Sequence, residues 1–231
     1  MGLSSHPFFW YSWFHDPAQL HKPPWLIEIE YAGHLPWGLQ RFLLPQYTQI
    51  MSALPTPPLV PVDDYLNSSY SPDREYVEGV LLERSGPTIA HSLLQMILIR
   101  CFAEYEKALR FLLPEVRTRI IERARYRVPD VILCPVPLPT GKVVTTVPWV
   151  VVEILSPDDK MPDQLERLRD YNRIGVRHVV LLDPEKLFAF RFENGSLLET
   201  QFTSLDLPHG TLPFDSAALF HQLVEKQNEG R

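Results

Sequence analysis

Cysteine is scarce in this chain: two among 231 residues, Cys101 and Cys134, both inside apolar runs. That rules out a disulfide framework and fits small core residues in a reducing compartment, so a cytoplasmic location is expected. Long apolar runs are missing too. The best, Leu93 to Phe102, is broken by Gln95 and Arg100 and falls short of the roughly 18 uncharged residues of a membrane span. No Lys or Arg precedes Lys22, and His15-Asp16 interrupts the aromatic start Phe8-Phe9-Trp10-Tyr11, a pattern that argues against a secretion signal. Basic residues are in deficit, 22 Lys and Arg against 28 Asp and Glu for a net charge of -6. A protein that coats nucleic acid through a positive surface is thereby excluded, and any such contact must be local. There is no Gly-rich phosphate loop, no Gly-x-Ser-x-Gly elbow, and no Cys/His set with zinc spacing among eight dispersed histidines.

What is present is ample apolar material, 45% of the chain, enough for one folded domain plus an extension. Residues 1–50 differ from the rest, with four of the five tryptophans (Trp10, Trp13, Trp25, Trp37), scattered prolines and no lasting periodicity. Met51 opens a proline-rich lead-in, Ser-Ala-Leu-Pro-Thr-Pro-Pro-Leu-Val-Pro. Two expectations follow: Met51 is the natural start, or the preceding segment is a short aromatic hairpin docked on the domain. The boundary is set with 1–57 as an extension and 58–231 as the domain.

From Val62 the signals sharpen. Asp63-Asp64-Tyr65-Leu66 starts a short helix, and Arg74 to Arg84 around Gly79 reads as two strands and a turn. A long helix follows, with Pro87 in its first turn and Ile89, Leu93, Leu94, Ile97, Leu98, Cys101, Phe102 and Tyr105 along its packed face. Val116 to Ile121 and Tyr126 to Cys134 read as extended chain, and a Pro/Gly loop runs to Thr146. Trp149 to Leu155 is a strand, and Ser156-Pro157-Asp158-Asp159 caps a helix with Met161, Leu165, Leu168 and Tyr171 as its buried stripe. Gly175 ends that helix, His178 to Leu182 is a strand, and Leu187 to Phe192 pairs with Ser196 to Thr200 across Asn194-Gly195. Strand, helix, strand in succession implies a crossover, hence a mixed α/β sheet flanked by helices.

Two acidic residues stand out in this apolar setting. Asp130 opens the run Val131-Ile132-Leu133, and Glu153 interrupts Val150-Val151-Val152-Glu153-Ile154-Leu155. A buried unpaired carboxylate costs several kcal/mol or takes up a proton, so each needs a partner of opposite charge, and a divalent cation is the strongest. A salt bridge to an arginine is the plainer account of Glu153. The 23 positions between the two allow a strand, a loop and a return beside it, which brings both carboxylates to one sheet edge and suits a hard cation such as Mg²⁺.

The ordered set Tyr65-Leu66, Glu75-Tyr76-Val77-Glu78-Gly79, His91, Val128-Pro129-Asp130, Val152-Glu153-Ile154-Leu155-Ser156-Pro157, Tyr171, Gly175-Val176 and Leu182-Asp183-Pro184 resembles the Uma-type restriction endonucleases. That family is a branch of the PD-(D/E)XK nuclease superfamily, and the resemblance runs from about Val60 to Phe192. It implies a restriction-endonuclease-like α/β core in which Asp130 and Glu153 hold Mg²⁺, or Mn²⁺, with the carbonyl of Ile154 contributing. It also implies that Glu75 completes the metal site; an exposed strand residue is the alternative. The superfamily's lysine two residues after the glutamate is Leu155 here. A basic residue on the following helix, Arg167, takes the matching place in this family; it can stabilise charge but cannot act as a base. Arg167 could instead pair with Asp163 or Asp170 on a solvated helix face. His91 matches a frequent histidine of the family near the start of the long helix, and a packed or capping residue is the competing reading.

Arg117, Arg119, Arg123, Arg125 and Arg127 all fall on odd positions, so in extended chain they share a face if the intervening turn keeps phase. Such a stripe, with Arg117, Arg119, Arg125 and Arg127 as substrate-binding residues, would position a phosphate backbone. A solvated hairpin balanced by Glu115 and Glu122 is the alternative. The reading is therefore a Mg²⁺-dependent endonuclease acting on DNA, with a homodimer expected because related nucleases pair to cut two strands. A nuclease-like module that binds DNA or a protein partner without cutting is the second hypothesis.

Overall fold

Alternation along three strands decides the layering of the molecule. In the computed structural model, which describes residues 58–105, 111–135, 137 and 140–229, β6 (Val131–Cys134), β7 (Val150–Ile154) and β8 (His178–Asp183) lie side by side. Val131, Leu133, Val150, Val152, Ile154, Val180 and Leu182 point into one apolar cluster. Ile132, Cys134, Val151, Val179 and Leu181 point into another. A strand whose two faces are both covered reads as a continuous apolar run, as the sequence of β7 does. Burial pushes the Cys134 thiol up to about 12, which suits a core residue.

These strands are the centre of a six-stranded sheet ordered β10-β9-β8-β7-β6-β3, in which β3 is Phe111–Pro114, β9 is Phe188–Glu193 and β10 is Ser196–Glu199. Only β7 and β8 run parallel, joined by the crossover helix α3 (Met161–Arg173), the mixed sheet that the strand-helix-strand order predicts. One face is covered by α2 (Ile89–Ala103) and α4 (Ser216–Glu229) through Leu94, Leu98, Phe102, Leu219 and Leu223. The other is covered by α3 through Leu168 and Tyr171. The short helix α1 (Val62–Asn67) packs Tyr65 on Tyr76 and Tyr126 of a second sheet. That sheet is ordered β2-β1-β5-β4, with β1 Glu75–Val77, β2 Val80–Leu82, β4 Thr118–Ile121 and β5 Arg125–Arg127. The β1–β2 turn places both Glu78 and Gly79 at positive φ, the two-residue hairpin geometry that favours glycine.

Several local expectations need correction. Pro87 lies before the cap of α2, where the Thr88 side chain accepts from the His91 N–H. Ile89 is 80% exposed and takes no part in the packed face. The side chain that caps nothing on α3 is Asp159: it accepts the Ser156 N–H at 2.8 Å and leaves Lys160 at the N-cap position. Met161 is exposed, and the buried face of α3 includes Gln164, Arg167 and Asp170 beside Leu168 and Tyr171. Strand β3, the hairpin β11 (Ser204–Leu207) to β12 (Gly210–Pro213) and α4 were not anticipated. The described residues belong to one unit, Pro57–Arg231. The readings of residues 1–57, including the start at Met51, lie outside the described residues. No helix among the described residues is long and apolar enough to cross a membrane.

Candidate active site

Strand register brings the two carboxylates together. β6 and β7 are antiparallel with Val131 opposite Val152, so the next pair along is Asp130 and Glu153. Directly opposed residues have Cβ atoms about 4.5–5.5 Å apart. Both side chains are almost wholly buried, at 1% and 2% exposure. They line a narrow cleft of about 10 Å³ with Arg84, Ser85, His91, Ile154, Ser156, Asp159, Gln164 and Arg167.

The pair is electrostatically unequal. Burial would raise Asp130, but the His91 hydrogen bond, the Arg84 guanidinium and the Ile154 N–H hold its carboxyl below the ordinary range. Arg84 donates to Oδ1, His91 Nε2 lies 3.3 Å from Oδ2, and the Ile154 N–H reaches Oδ2 at 2.7 Å. Glu153 has the Tyr171 hydroxyl donating to Oε1 at 2.6 Å. Burial, reinforced by the charge of Asp130, pushes its carboxyl up to about 8. Two carboxyls in one buried cleft thus differ in ionisation, the pattern expected when like charges share a site.

Glu75 belongs to a neighbouring network. It is fully buried, so the exposed alternative fails, and it does not line the cleft. Its Oε2 accepts from Arg127 at 2.7 Å and from Arg167 Nε at 3.1 Å, and Oε1 from the Val128 N–H at 3.3 Å. Arg167 is therefore buried beside Glu75, not paired with Asp163 or Asp170. Burial disfavours its charge, yet Glu75 and Glu153 more than compensate and keep the guanidinium protonated. Asp170 instead takes Arg127 and Arg125 at 2.7 and 2.9 Å. His91 is a packed residue that faces Asp130, and its Nδ1 has no hydrogen-bond partner.

The arginines do not form one free stripe. Pairing sets Thr118 against Arg127 and Arg119 against Tyr126, with an irregularity between Arg119 and Ile121. The turn therefore changes phase, and Arg119 faces the side opposite to Arg127. Arg117 is buried against Asp73, with 2.5 Å between Nη2 and Oδ1. Arg125 pairs with Glu78, Glu166 and Asp170. Arg119 has Glu122 at 4.0 Å. A larger groove of about 530 Å³ runs past Tyr70, Asp73, Arg117 and Lys142. It shares no residue with the carboxylate cleft, and Asp73 already neutralises its Arg117.

Arg84 and Gln164 are cleft residues that the sequence reading missed. Nothing in Leu82-Glu83-Arg84-Ser85 signals a partner 46 residues away. Gln164 was legible in principle, because Gln164, Leu168 and Tyr171 recur at helical spacing. Ile154 contributes its N–H to Asp130, and Leu155, at the lysine position, packs into the apolar cluster under α3.

Comparison with known proteins agrees with this architecture. A family model described as "Uma2: Putative restriction endonuclease" matches residues 62–219. Among solved structures, a putative nuclease belonging to DUF820 from Anabaena variabilis ATCC 29413 superposes with a TM-score of 0.60 at 20% identity, covering 71% of this chain and 99% of that one. No curated protein matches the sequence. A mixed sheet flanked by helices, a shared fold and a match over residues 62–219 lead to one conclusion: the chain belongs to the Uma2 family and has a restriction-endonuclease-like fold.

Proposed function

We propose that this protein is an endonuclease that hydrolyses DNA phosphodiester bonds with Mg²⁺, or Mn²⁺ in its place, at the Asp130–Glu153 cleft. The observation that carries the proposal is the meeting of two buried carboxyls, Asp130 just before β6 and Glu153 in β7, in a cleft that also holds two guanidinium groups. The residues fit a hard cation: Asp130 is held ionised, and Glu153 is pushed up partly by its neighbour's charge. A positive ion between them would relieve that repulsion. Once bound, such an ion acidifies a water and offsets charge on the scissile phosphate.

The chain's own residues supply the rest. Asp130 is oriented from three sides, by Arg84, His91 and the Ile154 N–H, before any ligand arrives. Tyr171 fixes Glu153. Arg167, oriented through Nε by Glu75, presents charge to a phosphate in the cleft and, staying protonated, takes no proton. Arg84 stands on Asp130 as a resident counter-ion, and a cation held there would leave its charge available to a phosphate.

That same contact favours a second reading. If Arg84 never leaves Asp130, the cleft stays closed and the protein is a module that binds DNA or a protein partner. Supercoiled and linear DNA incubated with Mg²⁺ or Mn²⁺ separates the two readings. Cutting by the parent but not by Asp130→Ala or Glu153→Ala is expected. Equal cutting by all three would expose a contaminant, and no cutting by any would favour the module.

A further inference from the structure

We propose that Gln164, and not Glu75, supplies the third protein oxygen for the divalent cation. This deepens the nuclease reading and rests on it. Gln164 is 2% exposed, sits in the first turns of α3 and lines the cleft with Asp130 and Glu153. Its Oε1 is buried with no hydrogen-bond partner. A buried acceptor without a donor costs about 1–3 kcal/mol, and such atoms are few in native proteins. Asp130 cannot satisfy it, since an ionised carboxylate offers only acceptor oxygens, and Glu153 makes no hydrogen bond to it. Arg84 donates to Asp130 and Arg167 Nε to Glu75, so neither of these bonds reaches it. A hard cation, or water carried by one, is what an amide oxygen beside two carboxyls would receive.

Glu75, the residue that family resemblance points to, is closed off. Both of its oxygens accept protein hydrogen bonds, and it has no exposed surface. Among the described residues no three His, Cys, Asp or Glu side chains are arranged for a metal.

The test is calorimetric titration of the full chain with Mn²⁺, with folding of each variant checked by circular dichroism. The parent binds and Asp130→Asn does not. Gln164→Leu, similar in size but lacking the oxygen, weakens binding roughly tenfold or more, the range in which orienting groups around metals act. Gln164→Glu keeps the oxygen and binds at least as tightly as the parent, which decides the matter should the leucine variant fail to fold. Glu75→Gln keeps the parent's affinity if it folds. Parent-like affinity in Gln164→Leu, or weakened binding in Gln164→Glu, overturns the assignment while leaving the nuclease reading intact. Absence of binding by the parent overturns both.

Discussion

Glu153→Gln is the substitution whose effect follows most directly from the site's electrostatics. The glutamate carboxyl moves from an ordinary 4.5 to about 8, through burial first and the neighbouring Asp130 second. An acid whose folded value is raised binds more protons folded than unfolded. Stability is therefore fully present below about 4.5 and declines as pH rises toward 8. At about 1.36 kcal/mol per pKa unit, the loss is on the order of 4 kcal/mol by pH 8. Glutamine keeps an oxygen for the Tyr171 hydroxyl, which donates at 2.6 Å, and cannot ionise. Urea unfolding from pH 5 to 9 in the presence of a chelator should give similar stabilities at pH 5 and a variant more stable by a few kcal/mol at pH 8. Asp130 is lowered, so its contribution is lost only at acid pH, outside this window. Replacing the chelator with excess Mg²⁺ should restore the parent at high pH, since a ligand that binds only the folded chain stabilises it. Parallel curves for the two proteins across the range would refute the electrostatic account of the pair.

Two other perturbations probe the surroundings. Arg127→Met leaves Glu75 and Asp170 buried with fewer partners, and should lower unfolding free energy by about 3 kcal/mol; a loss below about 1 kcal/mol in urea titration would show that Arg167 and Arg125 suffice. Arg84→Ala removes a positive charge from Asp130, and at an effective dielectric near 20 an adjacent charge is worth about 4 kcal/mol. Mn²⁺ affinity should rise about tenfold or more by calorimetry, and unchanged affinity would mean that Arg84 does not compete for the site.

Much of the layered core was legible because its strands announce themselves. Val150 to Ile154 is apolar on both sides, and both sides are covered. The same contrast exposed Asp130 and Glu153, since a charge inside such a run has no reason of packing to be there. Pairing choices were not legible. Arg167 had Asp163 and Asp170 within its own helix, yet its partner is Glu75, 92 positions away. The arginine stripe failed on two unreadable details, a register irregularity after Arg119 and a turn with Arg123 at positive φ, which together change the phase of β5 against β4. Asp170, a polar residue on the buried face of α3, looks like a solvated position until Arg125 and Arg127 of the second sheet are placed against it.

The most direct test of two carboxyls sharing one divalent ion is crystallographic. Crystals soaked in Mn²⁺ and measured at its absorption edge should show one anomalous peak within coordination distance of both Asp130 and Glu153, with Arg84 withdrawn from Asp130. A cleft without a peak, and Arg84 still seated on the aspartate, would contradict the account.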